Sequence, residues 1–505
     1  MDCRNAQEEW LRLVEGDGES DLPALARQVA GAFLETVKGA ILPEFSCLDL
    51  LCEMAVDGRG GRPVLRALYG RIVERFCDDF SPEGVAGCNL VLARMIDFVR
   101  RTPQGQGMTR ELDTLGFSSA AQLLARHGRL VALPPLAVRN RQGVKKVVIL
   151  SRVTVGADIV LNSIIVHRLL QALPAAELVV VGPPHLPQIF HGLERVRWEE
   201  LPYDRNCSFL DRFTVWETLR QLLRREEEGI APGSLLLVDP DSRLSQLGLL
   251  PLLAEESTCY FPSRLNPRPG KNPSLVELVN GWLDGVIGAA GFQSPTVSLP
   301  AANIEAAAVF VDKLRASGCR FLIVVNFGVG GDDNKRLGDP FETDLVAALL
   351  HGSEDTVILL DSGCACEEKE RVLGQLDLYR SQGVATDFVE EGELAAKTIG
   401  FAHGIVGFHG SIGGIGSLIG RADGFFGYDS CCQHLAGAVS TPAVIVFAGA
   451  PNPRFAARWC PYDATGRNTV LPVADKDALD GVALASLIDR VAAAFAAIRN
   501  KEMNS

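Results

Sequence analysis

The feature that most constrains this chain is a pattern that occurs twice. Lys146-Val147-Val148-Ile149-Leu150-Ser151 is a short, continuously apolar run, and 177–182 (ELVVVG) and 234–239 (SLLLVD) repeat it, with an apolar helical stretch from about 159 to 173 between the first two. Apolar runs of this kind alternating with helices predict strands buried on both faces, hence a parallel sheet between helical layers. The pattern restarts at Phe321-Leu322-Ile323-Val324-Val325-Asn326, followed by a glycine-rich turn and a helix from near Phe341. It continues through 356–361 (TVILLD), 424–429 (GFFGYD) and 443–448 (AVIVFA). The opening strands lie some 175 residues apart, the size of one doubly wound α/β domain. A last helix carries Leu484, Leu487, Ile488, Val491, Phe495 and Ile498 on one face. Two such domains facing one another form a cleft, and ligands bind at the carboxyl ends of the strands.

Ahead of this region the texture is helical. Asp21 with Pro23 is a helix start, followed by Leu25, Val29, Phe33 and Val37 at spacing four. Ser81-Pro82-Glu83 is a second start, and Leu92, Met95, Ile96 and Val99 continue one face. Gly58-Arg59-Gly60-Gly61-Arg62-Pro63 reads as a turn between them. The stretch Leu133-Pro134-Pro135, then Arg139-Asn140-Arg141-Gln142-Gly143, marks a boundary. The expected organisation is an all-α domain at 1–140, a Rossmann-like domain at 141–305 and a second at 306–505 with the C-terminal helix.

The 505 residues carry 49 basic against 62 acidic side chains, a formal charge of −13. That balance argues against non-specific nucleic-acid binding, which needs a basic footprint, but leaves room for one basic pocket. No apolar run approaches bilayer-spanning length, and Met1-Asp2-Cys3-Arg4-Asn5 is not the start of a signal peptide. Thirteen cysteines without a tight spacing framework fit reduced thiols. The expectation is a cytoplasmic protein, with at most peripheral contact at the inner face of a membrane.

Three segments carry chemistry. In Arg152-Val153-Thr154-Val155-Gly156-Ala157-Asp158 a carboxylate sits where a strand hands over to a helix. There it would either take a proton from a hydroxyl nucleophile or simply interact with the helix dipole. Asn326-Phe327-Gly328-Val329-Gly330-Gly331-Asp332-Asp333-Asn334-Lys335-Arg336 has three glycines and two cations suited to a diphosphate, but matches neither Walker A nor GxGxxG. In 424–436, Ser430 with Gln433 three residues on predicts a capping box, opening a helix whose positive end faces the cleft. His434 lies just over one turn in and reads equally as a ligand or a buried structural histidine. Gly410, Gly413, Gly414 and Gly416 allow close backbone approach or helix packing.

Taken in order, residues 145–475 resemble the heptosyltransferase-like glycosyltransferases, glycosyltransferase family 9, whose fold is the two-domain GT-B arrangement. The family's Gly-Asp turn corresponds to Gly156-Ala157-Asp158, with one extra residue, and the resemblance makes Asp158 the base. Lys335-Arg336 stands where the family has its Lys-Arg pair, and Gly363 with Glu367 or Glu368 where an acidic cluster reaches the nucleotide ribose. The family signature Asp-Thr/Ser-Gly-x-x-His-Leu-Ala is matched by Asp429-Ser430-Cys431-Cys432-Gln433-His434-Leu435-Ala436, then Pro442, a strand and Phe447-Ala448-Gly449. The departure is Cys431 in the glycine position, where a side chain would crowd the donor phosphates.

The resemblance implies an inverting, metal-independent transfer of a sugar, heptose by family default, from a nucleotide-diphosphate sugar, ADP-linked by the same default. No further cofactor is implied, and the acceptor is a glycan, lipid-linked or protein hydroxyl, a bacterial cell-envelope glycan by analogy. Gly156, Arg243 and Arg264 are the expected acceptor contacts, the arginines for a charged group. Asp239-Pro240-Asp241 is formally a DxD metal motif and reads as coincidence. Cys364-Ala365-Cys366 and Cys431-Cys432 lack metal-site spacing. The alternatives are a catalytically degenerate nucleotide-sugar-binding scaffold, for which the altered spacing and Cys431 speak, and a GT-B nucleotide-sugar epimerase or hydrolase. A nicotinamide oxidoreductase is disfavoured by the missing glycine fingerprint.

Overall fold

Apolar strands bury both faces and polar edges cap them, and the computed structural model follows that rule. It describes residues 3–15, 19–37, 44–133, 143–203, 207–266, 270–289, 291–351, 353–364, 366–450 and 452–502. The boundary expected at 140/141 lies outside these residues. The first sheet contains β1 (Lys146–Leu150), β2 (Glu177–Gly182), β3 (Val196–Glu200), β4 (Leu235–Asp239) and β5 (Thr258–Tyr260), all parallel, in the order β3-β2-β1-β4-β5.

The second sheet contains β6 (Phe321–Asn326), β7 (Thr356–Asp361), β8 (Thr386–Glu390), β9 (Gly404–His409), β10 (Gly424–Tyr428), β11 (Ala443–Ala448) and β12 (Thr469–Val473). It is parallel throughout, in the order β12-β11-β10-β6-β7-β9-β8. Each sheet reverses direction beside its opening strand, between β1 and β4 and between β6 and β10, which is where a ligand crevice forms. The helix Ala301–Ala316 leads into β6, so the division expected at 305/306 falls within a helix.

The helical region is not a separate globule. Its Phe33, Leu92 and Ile96 share one buried cluster with Val148, Leu150, Val179, Val181, Leu235 and Leu237 from one face of the first sheet. The opposite face, through Val147, Ile149, Val180 and Val238, joins a core that runs into the second domain. Each such side chain contributes ~1.5–3 kcal/mol of burial, so the helical domain and the sheet stabilise each other. Ser81 caps the helix Pro82–Arg100 by accepting from Gly84 N at 3.0 Å, as its sequence predicts.

Two expectations are corrected. Cys3 and Cys47 are joined as a disulfide rather than both being reduced thiols. Among the described residues two helices, Val155–Ala172 and Gly481–Lys501, are by length and composition long and apolar enough to cross a membrane. The first is 72% buried inside the protein, and the second lays Leu487, Val491, Phe495 and Ile498 against the second domain.

Candidate functional site

The carboxyl ends of β1, β4, β6 and β10 converge on a cavity of about 560 Å³, walled by both α/β domains and by the helical domain. At its second-domain side, Asp429 directly follows β10 and the helix Cys431–Ala438 begins two residues on. The first N–H groups of a helix have no partner within it and carry its positive end. The expected capping box does not form: Ser430 makes no cap hydrogen bond, and Gln433 instead donates from Nε2 to Asp429 Oδ1 at 2.7 Å. Ser430 Oγ, His434 Nδ1 and Trp459 Nε1 are all buried without a protein partner, and all three residues line the cavity. Burial pushes the His434 imidazole down to about 4, so the ring is neutral at neutral pH.

Lys335 Nζ donates to Asp429 Oδ2 at 2.6 Å from the turn after β6. Burial alone would lower the Lys335 ammonium, but the Asp429 carboxylate outweighs it and raises it. Arg336, expected beside it, turns away and donates through Nε to the buried Glu342 at 2.6 Å. Gly363 and Glu368 line the cavity, whereas Glu367 points outward and is exposed, one residue around the helix Cys366–Ser381. One residue that no motif singled out joins them. Asp361 ends β7, is pushed up to about 7 by burial, and accepts from Asn326 Nδ2 at 2.6 Å and from Gly363 N at 3.0 Å.

Gly156 from the first domain abuts the donor-side helix. A Cβ there would lie 2.8 Å from His434 Cδ2 and 3.2 Å from Cys431 Cα. Cys431 and Cys432 both line the cavity, with their sulfurs 4.0 Å apart, and Cys364 lines it too. Among the described residues no group of three His, Cys, Asp or Glu is arranged to hold a metal ion. Gly413 and Gly416 belong to the helix Ile412–Ile419 and pack against Pro300, Leu299 and Leu435, the packing alternative of the two foreseen.

The other end of the cavity is basic. Arg264 is held by Asp241, at 2.9 Å from Nε, and by Asn89 of the helical domain, at 3.0 Å from Nη2, leaving Nη1 buried and unpartnered. Burial would raise the Asp241 carboxyl, but the Arg264 and Arg152 guanidiniums hold it well below the usual carboxylate range. That ion pair accounts for half of the DxD motif, and Asp239 accepts from Ser242 N at 2.8 Å. Arg243 lines the cavity, and Arg212 lies 4.0 Å over the Tyr69 ring.

Tyr69, Glu74, Cys77, Asp78 and Phe80 bring the helical domain into the cavity wall, a role no local motif announced. Burial pushes the Asp78 carboxyl up to about 8. The same segment reaches the second domain. Asn452 Nδ2 donates to Asp78 O at 3.1 Å, Arg454 Nε to Asp79 O at 2.7 Å, and Phe80 packs between Phe455 and Arg458.

Asp158 is where its motif places it along the chain but not in the cavity wall. The helix opens at Val155–Ala157 and widens into a π turn over Asp158–Asn162, which takes up a residue more per turn and faces the carboxylate inward. It is fully buried, and the group between it and the cavity is His185, whose Nε2 lies 3.1 Å from Asp158 Oδ2. A histidine just past the carboxyl end of β2 stands at the ligand edge of the sheet, which is the signal that could have found it.

No known sequence family and no curated protein matches this chain. The solved structures do. A glycosyl transferase of family 9 from Veillonella parvula superposes with a TM-score of 0.50 at 16% identity, covering 71% of this chain and 98% of that one. The ADP-heptose LPS heptosyltransferase II of E. coli gives 0.44 at 15% identity, over 71% and 99%. A heptosyltransferase of E. coli solved with ADP gives 0.41 at 16%, over 68% and 99%. The chain therefore has the GT-B fold, two facing Rossmann-like domains, with an all-α domain added in front.

Proposed function

We propose that the protein is an inverting glycosyltransferase that moves a sugar from a nucleotide-diphosphate donor to an acceptor hydroxyl without a metal ion. The observation that carries this reading is the set of unpartnered polar atoms on Ser430, His434 and Trp459 around a helix N-terminus, with the Lys335 ammonium beside it. Buried polar groups without partners are costly, and a diphosphate supplies the missing acceptors and the negative charge. The diphosphate lies at the start of the helix Cys431–Ala438 against Lys335, and the ribose lies toward Gly363 and Glu368. As the anomeric bond breaks, charge grows on the leaving diphosphate, where these fixed dipoles and the cation stabilise it. The acceptor occupies the basic end lined by Arg243 and Arg264 and reaches toward Gly156, which abuts the donor-side helix, and its proton falls to Asp158 and the side chains Asp158 holds.

The donor is an ADP-linked sugar, heptose by analogy with the solved structures. The acceptor is a glycan of the cell envelope, lipid-linked or protein-borne, met in the cytoplasm or at the inner face of the membrane. Calorimetric titration with ADP, UDP, GDP and CDP, with and without magnesium, tests the donor site. Selective binding of one nucleotide that does not need magnesium supports the reading. No binding to any favours the scaffold alternative, for which the Cys431 side chain in the cavity wall is the observation that speaks.

A further inference from the structure

Asp158 has no lone pair left for an acceptor. Oδ1 accepts from Arg152 N at 2.8 Å and Asn162 Nδ2 at 3.0 Å, and Oδ2 from Ser151 Oγ at 2.7 Å and His185 Nε2 at 3.1 Å. Four donors occupy the four acceptor positions of a carboxylate. The residue is 0% exposed, while the His185 side chain is 18% exposed and lines the cavity. From this geometry we propose that His185 is the general base of the transfer and that Asp158 is its positioning residue. The proposal rests on the transferase reading above and names the group that meets the acceptor.

The tautomer follows from the partner. A carboxylate only accepts, so Nε2 carries the hydrogen and the neutral ring keeps its lone pair on Nδ1. The ring is placed by the sheet: β1 and β2 are paired, with Leu150 opposite Val181, so the turns that follow them are neighbours. Pro183 and Pro184 stiffen the approach to His185. The short helix Leu186–Ile189 that follows is tied to the second domain, where Gly413 N donates to Gln188 Oε1 at 3.4 Å. Gly182 leaves room for the chain beside it, since a Cβ there would lie 2.2 Å from Ser151 Cβ.

In the transfer, Nδ1 takes the proton of the acceptor hydroxyl as its oxygen bonds to the anomeric carbon. The bond from that carbon to the donor's phosphate oxygen breaks, and its electron pair leaves with the nucleoside diphosphate. The imidazolium so formed is held by Asp158 until the proton passes to solvent.

The test uses the full-length protein and two readouts. Long-range ¹H–¹⁵N spectra of the imidazoles, with His185 assigned from His185→Gln, report the tautomer without any substrate. The expected state is Nε2–H with a bare Nδ1; an Nδ1–H ring, or a ring still doubly protonated well above neutral pH, overturns the proposal. Turnover is followed as nucleoside diphosphate released from a panel of ADP-, UDP-, GDP- and CDP-activated sugars with water as acceptor. His185→Ala is expected to lose ~10²–10⁴-fold in kcat with ADP affinity unchanged and with partial rescue by added imidazole.

Asp158→Asn supplies the discriminating variant. Arg152 N fixes the new amide with its oxygen on that side, so its nitrogen faces His185 and forces the Nδ1–H tautomer. Loss of kcat together with that spectroscopic change is the expected result. Loss of kcat with the tautomer unchanged, or full activity in His185→Ala, overturns the proposal and leaves the transferase reading standing. A wild-type protein that consumes no nucleotide sugar removes both.

Discussion

Lys335 Nζ and Asp429 Oδ2 lie 2.6 Å apart across the switch point of the second sheet, which joins the turn after β6 to the end of β10. The pair keeps a half-buried ammonium charged beside the start of the next helix. Charge-assisted hydrogen bonds contribute about 1.5–3 kcal/mol each. Lys335→Ala is therefore expected to weaken nucleoside diphosphate binding by roughly 10- to 100-fold. Calorimetry reads this directly, and unchanged affinity refutes the assignment.

Cys431 and Gly156 meet where the two α/β domains touch. Removing the sulfur should open the phosphate position, so Cys431→Gly is expected to tighten ADP binding while lowering stability by up to about 1 kcal/mol through helix propensity. Gly156→Ala has the opposite effect on binding but also destabilises. Its new methyl group collides with the buried His434 ring and the Cys431 backbone, an overpacking that costs about 1–3 kcal/mol. Looser ADP binding in Gly156→Ala and tighter binding in Cys431→Gly is the expected pattern; equal affinities in both would remove the contact from the donor site.

Asp361 gives a pH dependence whose sign is unusual for a carboxylate. Burial holds it up at about 7 in the folded chain, against ~3.9 unfolded, so the folded state binds the extra proton between those values. Stability from this group is present below ~4 and is lost as the pH rises toward about 7. Asp361→Asn removes the titration, so its stability relative to wild type should climb across that window. Thermal unfolding at a series of pH values checks it, and a constant difference would contradict it.

Phe80 sits 6% exposed between Phe455 and Arg458 of the second domain. Phe80→Ala is expected to cost about 3 kcal/mol, within the range for a buried aromatic. Removing residues 1–142 altogether should do worse, because it bares Val148, Leu150, Val179, Val181, Leu235 and Leu237 to water. Size-exclusion chromatography is expected to show aggregates, and a monodisperse truncated protein would show the sheet face to be covered in some other way.

The continuously apolar strands were legible because burial on both faces leaves no ambiguity: β6, β7 and β11 begin and end where their residues predict. Edge strands were not. In β3 (VRWEE) and β8 (TDFVE) only one residue is fully buried, so their composition resembles that of a loop. The capping box at Ser430 does not form: Gln433 points its amide nitrogen at the Asp429 carboxylate, and its oxygen is left without the backbone N–H a capping box would supply. Glu367 and Glu368 could be separated only by the helix face each occupies. His185 lies 27 residues from Asp158, and only strand pairing brings their turns together. The helical wall was hidden for the same reason, since nothing local in Tyr69 or Asp78 points to a cleft built by other parts of the chain.

Asp78, Phe80 and their neighbour Asp79 belong to neither sheet, yet all three touch the second domain, and Asp78 and Phe80 lie in the wall of the cavity. A two-domain cleft exchanges its contents by swinging apart. Here that swing has to unfasten Asn452 from Asp78 and Arg454 from Asp79, and withdraw Phe80 from between Phe455 and Arg458. The latch thus lies on a part of the polypeptide that belongs to neither α/β domain. Changes in three consecutive residues of the helical domain can alter how long the cleft stays shut while leaving the chemistry inside it intact.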